Sequence, residues 1–377
     1  MFSSEHQSAR RIIIFAGTIL AIAVLQGFPR TASAQDEASI EVLVVGDSHI
    51  SGQGLRQENK FYFLVTEWLK DDIVELGAKV DLKVKAHAGS RLNLHPDELE
   101  AMRKSGEDVD RFHFQEANLS SPSIRTQIDV ARAEYKDPYS VDLVMLSGCI
   151  TDVLVAYIVN PFYPEKKLRH RVDRFCGESM AGLLEHTANA FPNAHIVVVG
   201  YFPIASSNSD IKTMVRYFAK TVSFPQKLQF IFTNPVSRQP LRLLRNKIAD
   251  RSRIWLTGSN RAIRKAVKRV NDRIGRPRIL FVESPIDEDS SYATKKPLLW
   301  EIGKDHLPND ETYNERKVGC AKVFGEMKYK HYGRLSTRMC ELSSVAHPNI
   351  EGSKAYAEAI INALKATAIA SQTTRQN

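Results

Sequence analysis

Apolar runs and helical stripes alternate along this chain. Ile40–Val45 is an almost unbroken apolar run, the pattern of a strand buried on both faces. Asn59–Leu76 places Phe63, Leu64, Trp68 and Ile73 on one side at helical spacing. Val80–Ala86 alternates with period two and predicts a half-buried strand. Further along, the pattern predicts a helix over Ser123–Tyr135, a strand over Val141–Leu146 and a long helix over Arg169–Ala190. It then predicts a strand over Ile196–Val199 that stops at Gly200, a helix over Ala262–Ile274 and a strand over Ile279–Val282. Pro348-Asn349 introduces a last helix over Ile350–Ile369. This rhythm predicts a parallel sheet with helices on both faces, an α/β architecture.

Residues 206–256 break the rhythm. Phe224-Pro225, Asn234-Pro235 and Gln239-Pro240 interrupt it, and the intervening Leu228–Phe232 and Leu241–Arg253 mix apolar and basic residues. The segment reads as an insertion over the sheet edge. Its Phe230, Ile231 and Phe232 either dock it onto the body or face a membrane surface.

The first 34 residues read as a secretory signal peptide. Arg10 and Arg11 precede a short apolar stretch, Ile12 to Leu25, and Ala32-Ser33-Ala34 is a small-x-small cleavage pattern that leaves Gln35 first. The apolar stretch is short for a membrane span, which needs roughly 20 residues. The remaining length, about 340 residues, is expected to form one domain over 35–377, without internal repeats. A secreted or periplasmic location is expected, and four cysteines fit an oxidising compartment. Cys320 and Cys340 could close a short loop, with Cys149 and Cys176 as the other pair, but three connectivities are possible and the sequence does not choose among them.

The formal charge is +9, and +7 without the first 34 residues. Residues 212–273 hold 16 Lys/Arg against Asp250 and Asp272, a local +14. Such a block predicts an anionic partner: lipid headgroups, an acidic polysaccharide or an acidic substrate. With a secretory signal, nucleic acid is not the expected partner.

Four segments at strand ends or at the last helix start carry candidate chemistry. They are Gly46-Asp47-Ser48, Ala86-His87-Ala88-Gly89-Ser90, Ser147-Gly148-Cys149-Ile150-Thr151-Asp152, and His347-Pro348-Asn349-Ile350-Glu351-Gly352. A serine at the carboxyl edge of a sheet sits where α/β proteins bind ligands, and a histidine in reach would activate it. In order and position these blocks resemble the SGNH, or GDSL-type, hydrolase superfamily over essentially the whole chain after residue 34. The resemblance implies a flavodoxin-like sheet. It implies Ser48 as nucleophile and His347 as general base. It also implies an oxyanion hole from the Ser48 and Gly89 N–H groups and the residue at 151.

Two positions depart from the family pattern. The oxyanion asparagine is replaced by Thr151, which has one hydroxyl on a stiff branched carbon. The acid three residues before the histidine is replaced by Ser344, which carries no charge. Three arrangements follow: a Ser-His dyad oriented by a backbone carbonyl, an acid from elsewhere (Asp152, Asp287, Asp305 or Asp310), or a slow or silent site. Asp152 is also expected to brace the third loop, Asp47 to shape its turn, and His49 and His87 to pack. No cluster has convincing metal-ligand spacing, no cofactor is expected, and the glycines of 46–54 lack the Gly-Lys-Ser/Thr ending of a phosphate loop. The expected function is ester hydrolysis through an acyl-enzyme on Ser48, with a lipid, short acyl or O-acetylated sugar ester as substrate. A catalytically quiet binding protein and an O-acyltransferase are the alternatives.

Overall fold

A computed structural model describes residues 39–73, 79–104, 106, 114–210, 212–214, 238–303, 305–326 and 337–376. The expected signal peptide, and Phe230–Phe232 of the expected insertion, lie outside these residues.

Five parallel strands form the sheet: β1 Ser39–Val45, β2 Lys79–Val84, β3 Val141–Leu146, β4 His195–Val199 and β5 Ile279–Val282. Their order is β2-β1-β3-β4-β5. Val44 pairs with Val84 on one side and Met145 on the other. This doubly wound order places a topological switch point between β1 and β3, where such sheets hold their ligands. Val42 to Val45 are wholly buried, as the unbroken apolar run requires of a strand covered on both faces. β2 ends two residues earlier than its alternation suggests, because Lys85 and Ala86 both donate to the Val44 carbonyl, at 2.8 and 3.1 Å, and leave the ladder.

The flanking helices fall into two groups. α1 (Phe61–Ile73) packs against the last helix, whereas α2 (Ile124–Glu134), α3 (Glu165–Val172) and α4 (Met180–Ala190) pack with α5 (Arg238–Ile274) or with one another. The last helix, α6, is Ile350–Gln376. A π-helical stretch, Asp173–Ser179, joins α3 to α4 where a single helix was expected. Cys176 in that stretch is bonded to Cys149 after β3, and Cys320 is bonded to Cys340.

α5 overturns the expected boundary at 256. One continuous helix of 37 residues replaces an insertion ending there and a separate helix from Ala262. Its buried stripe runs through Ile248, Ser252, Trp255, Ser259, Ile263, Ala266 and Val270. The serines on that stripe, and Gly258, hid the helical period. A side chain at Gly258 would stand 3.1 Å from Val172, so the small residue lets α5 approach α3. Among the described residues no helix is long and apolar enough to cross a membrane.

Candidate active site

The site lies at the carboxyl edge of β1 and β3. Gly46 ends β1 with φ of +147°, and a side chain there would press on the Ser147 carbonyl at 2.6 Å. Asp47 then caps a single helical turn, Ser48–Ser51, by accepting from the His49 N–H at 3.1 Å. Ser48 is the first residue of that turn, so its N–H has no acceptor inside the helix.

Asp47 is wholly buried. It accepts from the Ser147 hydroxyl at 2.7 Å and from the Tyr201 phenol, which ties β1 to β3 and β4. Burial raises its pKa, against the pull of the Tyr201 and Ser147 hydrogen bonds. Gln127 of α2 forms a second clamp. It accepts from the Gly46 N–H at 2.8 Å and donates to the Gly46 carbonyl at 3.0 Å and the Ser90 hydroxyl at 2.9 Å.

His347 arrives from the far end of the chain. Its backbone is bolted to the 298–300 segment: Trp300 N–H donates to the His347 carbonyl at 2.7 Å, and Ala346 N–H to the Trp300 carbonyl at 2.9 Å. Asn349 caps α6 by accepting from the Gly352 N–H at 3.0 Å and donates to the Pro297 carbonyl at 2.9 Å. The imidazole Nε2 lies 2.8 Å from Ser48 Oγ. With the ring proton on Nδ1, the Ser48 hydroxyl donates to Nε2, the arrangement a general base needs.

Ser344 lies three residues before His347, and its hydroxyl reaches Asp310. The Ser344 hydroxyl and the Arg316 guanidinium both donate to Asp310 Oδ2. Arg316 is fully buried and also pairs with Glu116 at 3.1 Å. The His347 Nδ1 is buried without a hydrogen-bond partner among the described residues. Burial and the Arg316 charge lower the His347 pKa to about 4. The Ser344 and Val345 carbonyls and Asp310 act in the opposite direction.

Gly89 follows β2 with φ of +84°. A side chain there would collide with Asn118 and with the Leu119 backbone, at 2.5 Å for its nitrogen. The glycine is therefore demanded by the overlying 114–119 loop, and not only by the approach of a ligand. That loop is laid down by Leu119 N–H donating to the Ala88 carbonyl at 2.9 Å and Ala88 N–H to the Gln115 carbonyl at 3.1 Å. The Gly89 N–H donates to no backbone carbonyl among the described residues.

Two expected roles do not fit the geometry. The Thr151 hydroxyl donates to the Ser90 carbonyl at 2.7 Å, so it braces two loops instead of facing an oxyanion. Asp152 accepts from the Leu92 N–H at 3.0 Å and lies 3.4 Å from Arg91 Nε, so it does not serve His347. Burial raises its pKa to about 6. Asp287 is bound up with Ser290 and Asp289, and Asp305 with the Leu307 N–H at 3.1 Å. Of the four acids weighed, Asp310 is the one beside Ser344 and among the charges acting on His347.

His49 is core. Its ring is surrounded by Phe61, Tyr201, Phe202 and Tyr356 at centroid distances of 4.7–5.5 Å, and burial with the nearby His347 lowers its pKa to about 3. His87 is buried with Nδ1 at 2.9 Å from the Ala88 carbonyl. Among the described residues no three His, Cys, Asp or Glu are grouped to hold a metal ion.

Sheet order brings a serine after β1 and a histidine just before α6 together at one edge of a doubly wound α/β sheet. No protein-family model matches the sequence, and no curated protein matches it. Among solved structures the chain is similar to the extracellular lipase from Streptomyces rimosus, with a TM-score of 0.41, 13% identity, and 86% of this chain and 99% of that one covered. It is similar to phospholipase A1 from Streptomyces albidoflavus NA297, with a TM-score of 0.41, 10% identity and coverage of 86% and 100%. It is also similar to an acetyl xylan esterase from the rumen bacterium Butyrivibrio proteoclasticus, with a TM-score of 0.36, 9% identity and coverage of 90% and 65%.

Proposed function

We propose that the protein is a secreted or periplasmic serine ester hydrolase. The observation that carries the reading is the 2.8 Å contact between Ser48 Oγ and His347 Nε2, made by residues 299 positions apart. Ser48 attacks the ester carbonyl carbon while His347 takes its proton. The oxyanion is met by the Ser48 and Gly89 N–H groups. His347 returns the proton to the leaving alcohol, and water then releases the acid from Ser48 by the reverse sequence.

The working pair is a Ser-His dyad. Asp310 acts on the imidazolium through space, offset by its own pairing with Arg316. A neutral group at the acid position of a triad can cost on the order of 10⁴-fold in rate, so slow turnover is expected. The Thr151 hydroxyl, committed to Ser90, favours a second reading in which the site binds an ester or glycan and turns it over little.

Secretion belongs to the same reading, supported by the signal-like residues 1–34 and the two disulfides. N-terminal sequencing of protein secreted by an expressing bacterium should start at Gln35. Turnover of p-nitrophenyl acetate or butyrate by the mature protein, lost in Ser48→Ala and in His347→Ala, is the expected result. Unchanged turnover in Ser48→Ala would refute the mechanism, and substrate binding without turnover would establish the second reading.

A further inference from the structure

Next to the oxyanion loops the chain holds apolar side chains out into solvent at a cost. Leu154 immediately follows the turn Ile150–Val153 and has φ of +72°, a region unfavourable for leucine. The preceding carbonyls are clamped by Arg171, which donates to Asp152 O and, at 3.1 Å, to Val153 O. Cys149 at the start of the same loop is tied to Cys176. So braced, Leu154 is 41% exposed and Val155 is exposed beside it.

Two more apolar side chains share this edge. Phe162 is 58% and Leu243 65% exposed. The Lys247 ammonium lies 5.9 Å from the Phe162 ring, and Leu243 is one helical turn before Lys247 on α5. Arg251, a turn later, donates to the Tyr163 carbonyl at 3.0 Å and the Pro161 carbonyl at 3.3 Å, fixing the 161–163 loop along α5. Tyr163 stacks on Tyr157 at 4.2 Å, which connects that loop to the turn bearing Leu154 and Val155. Four of the seven exposed large hydrophobic residues among those described therefore lie on one edge.

The charges around them are basic. Arg242, Lys247 and Lys166 are exposed, and none makes an ion pair among the described residues. The acids nearby are engaged: Glu165 with Arg251 at 2.8 Å and Asp250 with Arg253 at 3.4 Å.

We propose that this edge docks the protein on an anionic lipid surface, with Leu154, Val155, Phe162 and Leu243 entering the headgroup–acyl boundary and Arg242, Lys247 and Lys166 meeting lipid phosphates. Exposed apolar groups ringed by unpaired cations suit a membrane interface, because a soluble polyanion satisfies the cations and leaves the apolar groups in water. The inference deepens the ester hydrolase reading by pointing to a membrane-borne ester, but docking itself does not require turnover.

The test is cosedimentation of mature Ser48→Ala protein with vesicles of phosphatidylglycerol or of phosphatidylcholine. Reading docking on this variant separates it from catalysis. Binding to the anionic vesicles and at least tenfold weaker binding to the neutral ones is expected. Phe162→Ser/Leu243→Ser and, independently, Arg242→Glu/Lys247→Glu should each weaken vesicle binding by roughly tenfold or more. In the Ser48 background of the native chain the same pairs should leave soluble p-nitrophenyl ester turnover unchanged. No binding to phosphatidylglycerol vesicles, equal binding to both vesicle types, or binding to a soluble acidic polysaccharide that is indifferent to Phe162→Ser/Leu243→Ser would each overturn the proposal.

Discussion

His347 is half-buried beside a buried guanidinium, and partial loss of hydration together with that charge holds its pKa at about 4, against 6.5 for a free histidine. A general base works only when neutral, so the lowered value moves the acid limb of the rate profile downward. At pH 5 a histidine of pKa 6.5 is about 3% neutral, whereas one of pKa 4 is about 90% neutral, a difference of roughly 30-fold in working base. The same shift means that forming the imidazolium costs about 3–4 kcal/mol more than in water, at about 1.4 kcal/mol per pKa unit. This cost falls in the transition state, and it is where the absence of a directly bonded acid is felt. The assay is kcat/KM for a neutral, soluble ester between pH 4 and 8, read by chromatographic detection of the released acid. The expected profile is flat from pH 8 to about 5 and falls below that. Arg316→Met, which removes the second cause of the shift, should move the limb upward, provided near-ultraviolet circular dichroism shows the variant folded. An acid limb centred between pH 6 and 7 in the native protein would refute the lowering of the His347 pKa by desolvation and the Arg316 charge.

Other perturbations have equally definite outcomes. His49 stays neutral in the fold down to about pH 3, while its unfolded counterpart takes up a proton below about 6.5. The native state is therefore progressively destabilised as pH falls from about 6.5 toward 3, and urea unfolding should show His49→Phe with a flatter pH dependence than the native protein. Asp310→Asn leaves Glu116 as the one acid paired with Arg316 among the described residues. It should cost about 3–5 kcal/mol in denaturant unfolding and lower kcat by less than 100-fold, well short of the loss in His347→Ala. Gly89→Ala forces a side chain into the 118–119 backbone at an unfavourable φ, and should cut kcat more than it raises KM in steady-state assays. Replacing both Cys149 and Cys176 by alanine opens a loop of separation 27, which chain entropy places at about 3.5 kcal/mol of stability in the same unfolding assay.

The sheet was legible because its strands are apolar runs ended by glycine or polar turns, and burial on both faces leaves that pattern uninterrupted. Ser48 and His347 were legible for a different reason: each sits in a short segment whose backbone job, a capped turn after β1 and a capped start of α6, imposes its own residues. α5 extends further than its apolar pattern predicts because its buried face includes Ser252, Gly258 and Ser259, which are not hydrophobic: Ser252 accepts from the Ala205 N–H, and Gly258 makes room for Val172. Asp47, Asp152 and Asp310 could be singled out from the sequence, but the side chains that reach the site from far along the chain could not. Gln127, Tyr201 and Arg316 reach their partners from 81, 154 and 200 residues away, and no local pattern marks a buried side chain that pairs across the fold. Thr151 shows the converse. Its position in the third loop suggested an oxyanion donor, but the nearby Ser90 carbonyl claims the hydroxyl first.

The most direct test of the account is the site and rate of modification by a fluorophosphonate, followed by intact mass and peptide mapping. A single adduct on Ser48, formed at least 100-fold more slowly in His347→Ala, is the expected result. Failure to modify Ser48, or modification at the same rate without the His347 imidazole, would contradict the claim that these two groups form a working nucleophile and base.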